Sequence, residues 1–367
     1  MSPKKTTTKT TAKTTAKTTA KTTANTTAKT TAKTTNKAST VKKAAAVKKA
    51  STLKPSTKPA KPTAISIPKV LPTSSNFLAL DAKHSAYSSS NIVVLSAPLE
   101  QTVSYGGGTK YGPKEILKAS AYVEFYDDEF RRELCFDKGI ATLPELSLGS
   151  KKGKAAVELI ADSVRSVLRD DKFCVTLGGE HTLSTGPIKA HFEKYPDMSI
   201  LHFDAHSDLR ESYQGTPWSH ACFMARVAEF FPTERITQVG IRAQCIEEAE
   251  FITSKGINTF YASAIRRGRH GKNWQKSVAQ TLKKDVYVTF DVDYFDPSVM
   301  PATGTPEPDG FFYAETLDLF RTLIKRGHRI VGLDVVELAP MKGLSHPNLT
   351  TARLVYKILN FAFSQSS

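Results

Sequence analysis

From about residue 75 onward the chain predicts an α/β fold, a three-layer sandwich whose central, mainly parallel β-sheet is flanked by helices on both sides. Three observations predict it. Short, nearly all-apolar runs recur along the chain, as strands covered on both faces require. Longer amphipathic runs of helical period fall between them, the alternation that builds parallel sheets. Acids and histidines follow directly on the apolar runs, and the carboxyl ends of strands are where such sheets collect ligands.

The strands are expected at 91–97 (NIVVLSA), 173–177 (FCVTL), 198–203 (MSILHF), 235–240 (RITQVG), 286–291 (VYVTFD) and 330–335 (IVGLDV). Helical patterns at 154–169 and 184–195 lie between them.

Residues 1–70 are of another kind. They hold 17 Lys and no Arg, Asp or Glu, and the first acid is Asp81. Of 51 basic residues in the chain, 34 remain for the rest, against 35 acids. The net charge of +16 therefore belongs to this segment, and the body is near neutral. A TTAK unit repeats over 8–37, with Lys at 9, 13, 17, 21, 29, 33 and 37 and Asn25 in one slot. Thr is a poor helix former, like charges four apart repel, and no apolar stripe exists to dock such a helix. Residues 1–70 are expected to be a disordered basic tail, a solubilising spacer or a weak, salt-sensitive tether of residues 1–65 to nucleic acid or another polyanion. Without interleaved aromatics, base stacking is not expected.

Cys135, Cys174, Cys222 and Cys245 form no CxxC pair and read as reduced thiols in a reducing compartment. No apolar run is long enough to span a membrane, and no hydrophobic segment follows the first lysines as in a secretory signal. The expected location is cytoplasmic, with organelle import or nuclear association through the tail as alternatives.

The chemistry gathers at strand ends. ILHFDAHSD runs from apolar strand into Asp204, His206 and Asp208, whose spacing of two points all three to one side of an extended backbone. VYVTFDVDYFDP ends with Asp291 and Asp293, and FCVTLGGEH ends with a Gly-Gly turn and His181. Four carboxylates and two imidazoles in one place call for a compensating charge, naturally a pair of divalent cations. Mixed O and N donors suit Mn²⁺, with Ni²⁺ or another first-row ion as alternatives. His202, inside its strand, is expected to be core or to support a ligand, and Asp296, before a proline, to cap a turn.

The segments GGEH (178–181), FDAHSD (203–208), SHAC (219–222), FDVDYFDP (290–297), ATGTPEPDG (302–310) and GLDVVELAP (332–340), with SYGGGTKYGPKEILKAS (104–120), resemble the ureohydrolases, the family of arginases and agmatinases. The resemblance covers roughly 75–365, taken as one catalytic domain of arginase/deacetylase-like architecture. DLRESYQGTPWSH (208–220) is most similar to the agmatinase branch.

That resemblance implies roles. His181 and Asp208 would complete one metal's shell and His206 and Asp293 the other's, with Asp204 and Asp291 bridging. His220 would be the proton shuttle and Glu337 the acid that holds the guanidinium. Glu180, where many relatives have Asp, would stand behind the ligands. The implied activity is hydrolysis of a C–N bond in a linear amidine, agmatine to putrescine plus urea, a polyamine-forming reaction. Guanidinobutyrate, arginine and guanidine are the alternative substrates, and Arg210 or Glu211 is expected to choose among them. Homo-oligomers are common in the family. Two other classes stay open on the residues: a protein acting through its polyanion-binding tail, and a two-metal deacetylase-like amidohydrolase on a related sheet, against which the full set of six ligands argues.

Overall fold

The computed structural model describes residues 68–364. The basic tail expected over 1–70 lies outside the described residues except for its last three. Val70 and Leu71 are already attached to the body. Val70 packs beside Tyr87 and Leu95, and the Leu71 N–H donates to the Thr142 carbonyl at 2.8 Å.

One eight-stranded sheet organises the body. Its strands are β1 (Ile92–Ala97), β2 (Ile140–Thr142), β3 (Phe173–Gly178), β4 (Ser199–Phe203), β5 (Ile236–Val239), β6 (Asn258–Phe260), β7 (Asp285–Asp291) and β8 (Arg329–Val336). Their order is β2-β1-β3-β8-β7-β4-β5-β6, and every pairing is parallel. The six expected strands are present within two residues at each end. The other two, β2 and β6, are three-residue edge strands, too short to show a period.

Both faces of the sheet are buried, and the pleat divides them. Along β4, Ile200 enters one apolar cluster while Leu201 and Phe203 enter another. Along β7, Tyr287 joins the first, and Val286, Val288 and Phe290 join the second. This two-residue alternation between two cores is the reason the strands read as unbroken apolar runs. Helix Lys154–Arg169 matches its expected span. The expected 184–195 helix is present as Thr185–Lys194, and a 3₁₀ turn, His181–Ser184, leads into it. A parallel sheet aligns all its carboxyl ends at one edge, and the four adjacent central strands β3, β8, β7 and β4 lead there into His181, Glu337, Asp291 and Asp204. Among the described residues no helix is long and apolar enough to cross a membrane.

Candidate active site

At that edge a cavity of about 270 Å³ is lined by His206, Asp208, His220, Asp291, Asp293 and Glu337, among others. His181 is buried behind the cavity wall, against Asp208 and Asp291 that line it. The His181 Nδ1 atom is buried and makes no hydrogen bond, yet Oδ2 atoms of Asp204, Asp208 and Asp291 stand 3.1, 3.3 and 3.2 Å from it. The far side of the ring explains this. Thr289 Oγ1 donates to Asp334 Oδ1 at 2.7 Å, so it must accept from His181 Nε2–H at 2.9 Å. Nδ1 is the ring nitrogen left to face the three carboxylate oxygens. Burial opposes a charge on this ring, but the carboxylates of Asp204, Asp208 and Asp291 raise it well above the usual histidine range, so either a proton on Nδ1 or a cation among these four atoms would reconcile them. Their spacing of just over 3 Å is the ligand–ligand separation around an ion with bonds of about 2.1 Å.

A second group lies beside the first. His206 Nδ1 is 2.9 Å from Asp293 Oδ2 and 3.6 Å from Asp204 Oδ1. Asp204 thus turns one oxygen to each group, the geometry of a bridging carboxylate. Asp291 presents Oδ2 to the first group, while its Oδ1 accepts the Asp293 N–H at 2.8 Å. All six residues singled out in the sequence as metal ligands come together here.

Electrostatics point the same way. Two carboxylates about 4 Å apart repel by roughly 4 kcal/mol at an effective dielectric near 20. By themselves these side chains relieve the repulsion with protons. Burial, then the charge of Asp204, pushes Asp208 up to about 7. Burial, then Asp293, raises Asp291 well above the usual carboxylate range. Asp204 goes the other way: burial opposes its charge, but His202, His181 and His206 around it hold it well below that range. Two divalent ions would replace those shared protons, and the donor set of two imidazoles and four carboxylates fits first-row metals.

Support comes from residues behind the cluster. Gln238 Nε2 donates to His202 Nδ1 at 3.0 Å, so His202 Nε2 carries the hydrogen it gives to Asp204 Oδ2 at 2.7 Å. His202 is accordingly a buried support. Asp334 accepts from Ser184, Thr289 and Tyr287. Arg242 Nη2 donates to the Asp293 and Glu307 carbonyls at 2.7 and 3.0 Å, tying the β7 loop to the cavity wall. Gln238, Thr289, Asp334 and Arg242 were not singled out in the sequence. Thr289 carried a signal, since it stands two before Asp291 on the same strand face. Asp296 accepts from Ser298 and Gly310 and caps a turn, as expected.

Asp208 and Glu337 both have positive φ, 54° and 63°. Such strain costs on the order of 1–3 kcal/mol per non-glycine residue and marks geometry held for function. Glu337 Oε1 accepts the His181 N–H at 2.6 Å, and burial raises its carboxyl well above the usual range. His220 contacts Thr102 Oγ1 through Nδ1 at 2.8 Å and Ser104 Oγ through Nε2 at 2.7 Å, and burial lowers it to about 4. Cys222 is buried and pushed up to about 11 by burial, so it is inert as a nucleophile.

The choice between Arg210 and Glu211 is decided by the fold. Arg210 lines the cavity, lying 5.2 Å from the Tyr213 ring centre and 3.9 Å from Glu248. Glu211 is 86% exposed and pairs with Arg226 at 3.0 Å, so it faces away. Glu307 also lines the cavity, 4.0 Å from His206 Nε2.

The arginase-family model matches residues 90–362. The chain belongs to the arginase family. It is 36% identical over 283 residues to an N(1)-aminopropylagmatine ureohydrolase of Synechocystis sp., covering 75% of this chain and 90% of that one. It is 35% identical over 262 residues to an agmatinase of Bacillus cereus, covering 70% and 87%. Among solved structures, the agmatine ureohydrolase of Thermoplasma volcanium superposes with a TM-score of 0.69 at 28% identity, over 77% of this chain and 92% of that one. An arginase from Medicago truncatula does so with a TM-score of 0.65 at 27% identity, over 75% and 88%. The resemblance carried by the motifs is borne out. This arginase-family member is a ureohydrolase that acts on C–N bonds and depends on a binuclear metal centre. The deacetylase-like reading falls with that membership.

Proposed function

We propose that the protein hydrolyses agmatine to putrescine and urea with two Mn²⁺ per subunit. The observation that carries this is Asp204, whose two oxygens face two separate ligand groups. His181, Asp204, Asp208 and Asp291 would hold one ion, and Asp204, His206, Asp291 and Asp293 the other. Such a pair, when bound, lowers the pKa of a shared water and supplies a nucleophile at neutral pH. The chain's own residues do the rest. Glu337 receives the planar guanidinium, for which a carboxylate has matching fork geometry. His220, half-buried and held neutral by partial desolvation, takes a proton at Nε2 and returns it to the departing amine, which needs it to leave.

The distal end of the substrate lies toward Glu307 and Arg210. Glu307 supports a distal ammonium, as in agmatine. N(1)-aminopropylagmatine is the second reading, favoured by the Synechocystis relative and having the same guanidinium with a longer amine tail. To the same reading belong a catalytic domain over 75–365, a homo-oligomer, and a basic tail over 1–70 that tethers weakly to polyanions. The test is urea release by the Mn²⁺-loaded protein from agmatine, N(1)-aminopropylagmatine, guanidinobutyrate, arginine and guanidine. Preference for agmatine supports the proposal. Preference for any other member replaces the substrate, and no urea from any of them overturns the reaction.

A further inference from the structure

Residues 98–103 belong to none of the motifs that carry the family resemblance, yet they form the wall behind His220. They follow β1, whose neighbour β3 ends in Gly178 and Gly179. A Cβ on Gly179 would strike the Leu99 carbonyl, so the loop after β1 lies directly on the turn after β3. The Glu180 N–H donates to that carbonyl at 2.7 Å. The Glu180 side chain is buried, and its Oε2 accepts from Gln101 N–H at 2.9 Å, Thr102 N–H at 2.6 Å and Thr102 Oγ1–H at 2.9 Å.

A hydroxyl has one hydrogen. Thr102 directs it at Glu180, so Thr102 Oγ1 can only accept from the imidazole of His220, whose Nδ1 is 2.8 Å away. The same oxygen accepts the His220 backbone N–H at 3.2 Å, which fixes the residue's main chain as well. Nδ1 therefore carries the hydrogen, and Nε2 presents its lone pair to the cavity and to the Ser104 hydroxyl, which donates across the shorter contact at 2.7 Å, while the Tyr213 hydroxyl 3.4 Å from the Ser104 oxygen is placed to donate to it. The other tautomer would set the Nδ1 lone pair against the Thr102 oxygen lone pairs. We propose that Glu180, acting through the Thr102 hydroxyl, fixes the tautomer and aim of His220, so that Glu180 and Thr102 are positioning residues for its proton transfer. The inference rests on the ureohydrolase reading above.

The arrangement is a carboxylate–imidazole pair with a hydroxyl inserted between them. A carboxylate set behind an imidazole holds it in the productive tautomer and steadies its protonated form. Here the longer Glu reaches the 101–102 loop, and Thr102 relays its effect. The basic nitrogen stays on the cavity side, where it can take up a proton and deliver it to the departing amine.

Two measurements test the relay. In full-length, zinc-loaded protein with ¹⁵N-labelled histidine, the His220 ring, assigned with His220→Asn, should show a protonated Nδ1 and an unprotonated Nε2. Thr102→Val should shift the ring toward the Nε2–H form, and Thr102→Ser should restore the wild-type spectrum. In the Mn²⁺-loaded enzymes, Thr102→Val should lower kcat about 10-fold to 100-fold, within the ~10²–10⁴ range of a general acid–base contribution. KM should stay within about twofold, metal content should be unchanged, and Thr102→Ser should recover most of kcat. An Nε2–H ring in the wild type overturns the proposal, as does Thr102→Val with kcat within twofold of wild type. If the wild type releases no urea, the ureohydrolase reading fails, and the spectra still decide the tautomer.

Discussion

Thr289 in β7 and Asp334 in β8 are direct partners across the sheet, and the Thr289 hydroxyl donates to Asp334 Oδ1 at 2.7 Å. The bond turns the hydroxyl oxygen toward His181 Nε2–H and so aims Nδ1 at the carboxylates. Partners behind a metal-binding histidine commonly change metal affinity 10–100-fold. Thr289→Val and Asp334→Asn should each weaken the ion held by His181 by about that factor and leave the ion beside His206 less affected. A metal titration that resolves two binding steps checks this; equal weakening of both steps would contradict it.

Asp204 and Asp293 should differ in what they hold. Asp204 faces both ligand groups, so Asp204→Ala should lose both ions. Asp293→Ala should lose the ion beside His206 and retain much of the other. Both should lower urea release by at least about two orders of magnitude, since the nucleophile depends on the pair. Metal content per subunit, measured alongside circular dichroism to verify folding, tests the difference. Full activity in both would sink the two-metal assignment.

Opposite charges on the cavity rim should separate substrates. Glu307→Gln should raise KM for a distally cationic guanidine several-fold, about the effect of one partly screened charge pair, and spare guanidinobutyrate. Arg210→Ala should act in the reverse sense. Steady-state kinetics of both variants on agmatine and guanidinobutyrate read the result, and parallel changes on the two substrates would rule out charge selection.

His191 should make the fold acid-sensitive. It is fully buried, gives its Nδ1–H to the Pro187 carbonyl at 2.7 Å, and is lowered to about 4 by burial, against about 6.5 when unfolded. Between these values the unfolded chain binds the extra proton, so stability rises with pH across that window. It is complete above about 6.5 and is lost as pH falls toward 4, up to about 3 kcal/mol in all. His191→Leu should flatten the dependence of the unfolding midpoint between pH 5 and 7. An unchanged slope would show that other groups set it.

Much of the site was legible because a parallel sheet imposes its geometry on the sequence. An apolar run followed by DxHxD, DxD or GGEH places each ligand at a strand's carboxyl end with little dependence on the remaining chain. The roles of Glu337 and His220 were legible only through family resemblance, since a single acid or histidine in a loop carries no period. Thr102, Gln238 and Asp334 were not legible, and of Thr289 only its place on the Asp291 face of the strand was. Each acts by a hydrogen bond to a residue distant in the chain, Thr102 to His220 across 118 positions. The short strands β2 and β6 escaped because three residues show no alternation.

By itself the sequence determined six of the eight strands, the six candidate ligands at their ends, the family and the near neutrality of the body, because each is written in local composition and spacing. Tertiary structure alone decided that Asp204 faces both ligand groups and that His181 offers Nδ1. It also decided that Arg210 faces the cavity while Glu211 turns away, and that Glu180 reaches His220 through Thr102. A side chain's direction and its tautomer depend on which atoms the fold brings within about 3 Å, and linear order does not encode that distance.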